Sequence, residues 1–193
     1  MKKNRKFQYL AILLTLVLSF GYIRNTPVQS QAASKKTQVK KIKRTYSKFL
    51  KRHEKPYFRF AVLDLNKDGY PELICMGSTV LNKDWRIYTY RKGKMRRVSI
   101  PSKGDSYTTS MAYNPKSKSI YFDYSGASAW MGDSYRLKGS KLVHLHNFFW
   151  YHERRLIDNK KVSYKKINKW YNHYAYKMIN FQQNTSANRK IYL

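Results

Sequence analysis

Residues 57–77 read YFRFAVLDLNKDGYPELICMG, and this stretch decides the fold. Its two ends are rich in Phe, Val, Leu and Ile, the composition of strands, and its middle carries Asn, Asp, Gly and Pro, the composition of a turn. A strand, a tight polar loop and a second strand follow. The loop 64–72, DLNKDGYPE, also gathers three of the chain's ten acidic residues, although the chain holds 40 Lys and Arg. So local a concentration of acid in so basic a chain calls for a cation.

The spacing says which kind. Numbered from Asp64, side-chain oxygens fall at positions 1 (Asp64), 3 (Asn66) and 5 (Asp68), Gly69 at 6, Tyr70 at 7 and Glu72 at 9. Alternate side chains point inward, Gly permits the sharp bend, and position 7 offers its backbone carbonyl, which suits a hard ion that takes six to eight oxygens. Expected metal ligands are therefore Asp64, Asn66, Asp68, the Tyr70 carbonyl and Glu72, with Ca²⁺ as a structural ion. A metal-free turn, with Asp and Asn capping their own backbone, is the plain alternative. Position 12 is Cys75 inside an apolar run rather than the bidentate Glu of a helix–loop–helix site, so the loop joins strands. Lys67 and the basic surroundings weaken cation binding, to a Kd of about 10⁻⁴ to 10⁻³ M.

The motif FAVLDLNKDGYPELI resembles the calcium loops of integrin-type FG-GAP repeats. More closely, it is similar to a group of secreted Gram-positive proteins in which a single DLNxDGxPEL follows a short helix and precedes hairpins such as YTYRKGKMRRV and YRLKGSKLVHL. The resemblance implies the same five ligands and a metal that ties a strand-to-strand turn. With one loop in the chain, it implies no propeller of repeats.

Working outward from the loop, Val39, Ile42, Tyr46, Phe49 and Leu50 share one helical face, which predicts a helix over 38–53 that Pro56 closes. Residues 33–41 read as a flexible basic linker. From 57 to 157, Tyr-, Phe-, Ile- and Val-rich runs alternate with turn signals about every ten residues, the pattern of an antiparallel meander. Ile167, Trp170, Tyr171, Tyr174 and Met178 form a second apolar helical stripe, with Ser163 as its N-cap. The expected fold is a single α+β domain over 42–181, a β-meander flanked by an N-terminal and a C-terminal helix, with a loose polar tail at 182–193.

At the N-terminus, MKKNRK followed by LAILLTLVLSF and VQSQAAS has the basic, apolar and small-residue segments of a secretory signal peptide over 1–32. The apolar run is shorter than the roughly 20 residues a membrane span needs. Cys75 stands alone, so no intrachain disulfide supports an exported domain, and a metal staple would substitute. Beyond residue 32 the chain holds 35 Lys and Arg against 10 acids, a net +25. The expected partners are anionic polymers: wall polymer, acidic glycan or nucleic acid.

Three further features compete for chemistry. Aromatic and small residues mix in YFDYSGASAWMGDSY, where Tyr121, Tyr124 and Trp130, with Arg136 nearby, could form a ligand rim; core packing is the alternative. His144 and His146, two apart on a strand, share a face there and could begin a metal site with His152, but no third ligand has recognisable spacing. Two GDSY copies, at 104–107 and 132–135, lack the strand–turn–helix context of a nucleophile elbow. The leading expectation is a non-enzymatic, secreted, calcium-stabilised binding or accessory protein. The competing class is a secreted hydrolase or nuclease using His144, His146, His152 or Glu153.

Overall fold

The computed structural model describes residues 28–77, 85–100, 110–124, 129–174 and 177–193, with side chains from residue 34 onward. Contacts divide the chain into two units, Met1–Gln38 and Val39–Leu193. All sites discussed belong to the second unit. Helix α1 (Val28–Arg52) leads into two antiparallel sheets. Sheet one contains β1 (Tyr57–Leu63), β2 (Glu72–Gly77), β3 (Trp85–Arg91) and β4 (Lys94–Arg97), with the short β11 (Gln182–Gln183) beside β1. Sheet two runs β5 (Ser110–Asn114), β6 (Ser119–Asp123), β7 (Trp130–Lys138), β8 (Lys141–Tyr151), β9 (Arg154–Ile157) and β10 (Lys160–Lys161) in consecutive order. Helix α2 (Tyr164–Tyr174) and α3 (Ser186–Tyr192) complete it. The α+β meander expected from the sequence is present, split into two sheets.

Alternation along each strand explains the layering. On sheet one, Ala61, Ile74, Met76, Trp85 and Ile87 face Met111, Tyr113, Ile120, Phe122, Tyr135 and Leu137 of sheet two, forming the larger core between the sheets. The opposite face of sheet one, with Phe60, Leu73 and Cys75, takes the α1 ridge Ile42, Tyr46 and Leu50, which recurs every four residues. Cys75 is buried and burial raises its thiol pKa, as a structural cysteine requires. The outer face of sheet two presents Tyr121 and Phe148 to Trp170 and Tyr171 of α2. The order is helix, sheet, sheet, helix.

Four expectations need correction. Residues 33–41 are helical rather than a flexible linker, because α1 begins at Val28, ten residues before the predicted start. Helix α2 stops at Tyr174, so Met178 leaves the helical stripe and instead lies opposite Ala112 in an isolated bridge, 54% exposed. The tail 182–193 is ordered: Asn184 donates to the carbonyls of Leu50 (3.1 Å) and Tyr57 (2.8 Å), and the buried Arg189 pairs with Glu54 at 2.7 Å. Thr185 caps α3 by accepting from the Asn188 N–H at 3.1 Å. Polarity was misread as looseness; here the polar groups bond the α1 terminus. The fourth correction concerns the histidines and appears with the site.

Ser163 caps α2 as expected, its hydroxyl accepting from the Lys166 N–H at 3.3 Å. The signal peptide expectation falls mostly on residues outside the described ones, as do the loop 125–128 and the GDSY copy at 104–107. Among the described residues, no helix is long and apolar enough to cross a membrane.

Candidate functional site

The acidic loop lies between β1 and β2, and its geometry follows from two left-handed residues, Lys67 (φ 60°) and Gly69 (φ 88°). Gly adopts this conformation freely; a lysine does not, so the turn is held by bonds. Asp64 supplies both carboxylate oxygens, one to the Asp68 N–H (3.2 Å) and one to the Gly69 N–H (2.8 Å). Asn66 Oδ1 accepts from Asp68 N–H at 3.0 Å, and Asp68 Oδ1 from Tyr70 N–H at 2.8 Å. The Asn66 amide donates to Asp68 Oδ2 at 2.9 Å, so the three side chains gather around one turn. Each of these oxygens keeps a second lone pair, so the donor set fits a hard cation in kind.

Glu72 is placed differently. It follows the parity of Ile74 and Met76 and lies between the sheets, 1% exposed, rather than at the loop surface. The Leu65 N–H donates to its Oε2 at 2.9 Å and the Thr89 hydroxyl to its Oε1 at 3.1 Å. Burial raises its pKa to about 8, those two hydrogen bonds oppose the rise, and Asp68 and Asp64 add to it. From sheet two, the Tyr113 hydroxyl donates to the carbonyls of Asp64 (3.0 Å) and Leu65 (3.3 Å), and from α1 the Tyr46 hydroxyl donates to that of Pro71 at 3.0 Å. Both sheets and α1 thus anchor the loop backbone. Among the described residues no three His, Cys, Asp or Glu side chains are grouped as metal ligands: Asp64 and Asp68 share the turn and Glu72 is held apart.

A second site was not foreseen. Between α2 and the β8–β10 strands lies a cleft of about 800 Å³, lined by Lys160, Lys161, Lys166, Lys169, His146 and Trp170 among others. The β9–β10 turn that carries two of these lysines forms because Asp158 (φ 52°) and Asn159 (φ 62°) adopt left-handed backbone, which short-chain Asx residues tolerate. Asp158 Oδ2 lies 2.7 Å from His146 Nδ1 and its Oδ1 accepts the Asn147 N–H at 3.0 Å; these bonds keep its pKa below the ordinary carboxylate value against the opposing effect of burial. The Asn114 amide donates to the His173 carbonyl and fixes the far end of α2. The Trp170 ring is stacked on Phe148 at 5.1 Å and lies 4.6 Å from Tyr174, and its indole N–H is buried without an acceptor.

The histidines contradict their predicted shared face. Tyr135 pairs with His144 and Ser134 with His146, so a bulge at Leu145 breaks the alternation. His144 meets the core residue Tyr135 edge-on and Asp133 at 3.1 Å, whereas His146 faces Trp170 and Tyr174 of α2. His152 sits in the β8–β9 turn (φ 45°), where its carbonyl accepts from Trp150, and Glu153 beside it pairs with Arg155 at 2.8 Å. Only His146 of these four lines the cleft.

The expected aromatic rim is dispersed as well. Tyr121 is 1% exposed and packs edge-on against Phe148, Trp170 and Tyr171, so it belongs to the core under α2. Tyr124 is half-buried, and burial raises its pKa. Trp130 alone remains open at 49%, packed against Trp150 and Tyr171, and Arg136 donates to the Ser117 carbonyl at 3.2 Å. The GDSY copy at 132–135 lies within β7, with Ser134 fully buried and donating to the His146 carbonyl at 3.3 Å. No protein-family model, curated protein or solved structure matches this chain.

Proposed function

We propose that this chain is a secreted binding or accessory protein that associates with anionic extracellular polymers and carries one structural Ca²⁺ in the loop 64–72. The observation that carries the reading is the fate of the acids. Asp84 and Asp105 lie outside the described residues, and each of the other eight acids accepts a hydrogen bond or ion pair from the protein itself. Four of these acids, Asp64, Asp68, Glu72 and Asp123, are held by backbone N–H or hydroxyl groups that carry no charge. Ten acids offset only part of 40 Lys and Arg and leave a formal net charge of +30. A large uncompensated positive field recruits polyanions from a distance.

Retention on an anionic polymer resin is expected to fall steeply as salt rises from about 50 to 200 mM, because bound counterions are released on association. Salt-independent retention, or none, overturns the reading. In the loop, Asp64, Asn66, Asp68 and the Tyr70 carbonyl would hold the ion, above the buried Glu72; its chemistry is to neutralise the acids and pin the turn. Titration with Ca²⁺ up to several millimolar is expected to raise Tm, and an unchanged melt overturns the structural-ion assignment. The hydrolase reading gains nothing from His144, His146, His152 and Glu153, which do not converge.

A further inference from the structure

We propose that the cleft between α2 and β8–β10 is a binding site for a single chain of linked phosphates that carries no bases, gripped through those phosphates. The inference rests on the polyanion reading above and gives it a location and a ligand class.

The electrostatics come first. Lys166 and Lys169 stand three apart on α2, on neighbouring positions of one face, and Lys160 and Lys161 come from β10 across the cleft. All four are exposed. The one carboxylate in the lining, Asp158, has both oxygens engaged by His146 and the Asn147 N–H. It orients the imidazole, and as a single carboxylate it offsets at most one of the four lysines. Four cations from two walls around a volume of about 800 Å³ therefore face an anion the chain itself lacks.

Every fixed cation in the lining is a lysine. An ammonium is a compact charge with three rotatable donors, which can follow the tetrahedral phosphate oxygens of a flexible chain. His146 from β8 and Asn172 and His173 from α2 add further polar groups to the lining, and the Trp170 indole N–H is buried without an acceptor.

The aromatic lining argues against recognition of bases. Sequence-tolerant binding of single-stranded nucleic acid needs ring faces free for stacking. Trp170 is already engaged by Phe148 and Tyr174, and Tyr174 meets His146 and His173 edge-on at 5.5 and 4.6 Å. A chain of phosphates linked by small, non-aromatic units fits the cleft better than one carrying bases.

The test compares two matched double variants of the full chain, Lys166→Gln with Lys169→Gln in the cleft, and Lys48→Gln with Lys51→Gln on α1. Each pair is exposed, three residues apart on a helix, and removes the same charge. The probes are fluorescently labelled long-chain inorganic polyphosphate, polygalacturonate and a thymidine oligonucleotide, read by anisotropy at about 100 mM salt. Near-UV circular dichroism checks that both variants keep native packing. Polyphosphate affinity is expected to fall on the order of tenfold in the cleft variant and less than about twofold in the α1 variant, since lysines in direct phosphate contact contribute most. Polyphosphate should also bind more tightly than polygalacturonate. Equal losses in the two variants overturn the cleft while leaving the general polyanion reading standing. Failure of the unaltered chain to bind any of the three probes overturns both. Tighter binding of the oligonucleotide than of polyphosphate, with the same sensitivity to Lys166 and Lys169, overturns the ligand class in favour of nucleic acid.

Discussion

The two helix-on-sheet layers of this protein solve the same problem differently. Under α1, a long helix sets Ile42, Tyr46 and Leu50, each 1% exposed or less, against the fully buried Phe60, Leu73 and Cys75. Under α2, an eleven-residue helix spans only about 16 Å along a six-stranded sheet, and its contacts are aromatic: Trp170 and Tyr171 on Tyr121 and Phe148. A short helix bearing flat, bulky rings cannot cover the whole sheet. The uncovered flank at β8–β10 is where the cleft opens. A buried aliphatic and tyrosine ridge lies beside the acidic loop, whereas an aromatic layer flanks the basic cleft.

The largest expected effect tests the aromatic layer. A methyl on Gly132 would sit 2.3 Å from the Tyr121 hydroxyl and 2.4 Å from the Phe122 carbonyl, both fully enclosed. Gly132→Ala should therefore destabilise by about 3 kcal/mol or more in urea unfolding. A loss under about 1 kcal/mol would show that the aromatic layer is loose.

The next effect belongs to the loop and depends on pH. The Glu72 pKa is raised by burial to about 8 in the folded protein, from an ordinary value of 4.5. Between those values the folded state holds a proton that the unfolded state has released, so stability falls as pH rises from about 5 to 8. The loss should be on the order of 3 kcal/mol without calcium, from the size of that shift. Glu72→Gln should flatten the slope, and an unchanged slope would assign it to another group. Asp158 acts in the opposite sense: its lowered pKa gives stability that disappears only on acidification below the ordinary carboxylate range.

A smaller effect separates packing from hydrogen bonding under α1. Tyr46→Phe keeps the buried ring and removes the bond to the Pro71 carbonyl, costing about 1 kcal/mol. The smallest concerns the tail. Thr185→Ala removes the cap of α3, a loss of about 1 kcal/mol felt within that helix, and should speed amide exchange at Asn188 and Arg189 with little change in global Tm.

Much of the fold was legible because strand and helix periodicities are local. The segments YFRFAVLDL, WRIYTYR and KLVHLHNFFW predicted β1, β3 and β8, and the apolar face containing Ile42, Tyr46 and Leu50 predicted the packed part of α1. The acidic turn was legible too, with Asp64, Asn66 and Asp68 gathered as spacing implied. Glu72 was legible as a residue and not as a position: its burial comes from strand parity combined with a second sheet lying over it. The histidine pair failed for a sharper reason. Alternation holds only where the ladder is regular, and the bulge opposite Ser134 and Tyr135 turns His146 away from His144. The cleft had no sequence signature, since Lys160 and Lys166 belong to separate elements and meet only across the α2 flank.

Sequence alone determined the element types, the strand–loop–strand acidic turn and the excess of positive charge, because each depends on residues adjacent in the chain. Tertiary structure decided how the meander divides into two sheets, which acids are engaged within the protein, where Glu72 is buried, and that four lysines surround one cleft. Those depend on which faces meet, and that is set by packing between segments far apart in the chain, as when Asn184 bonds the carbonyl of Leu50, 134 residues away.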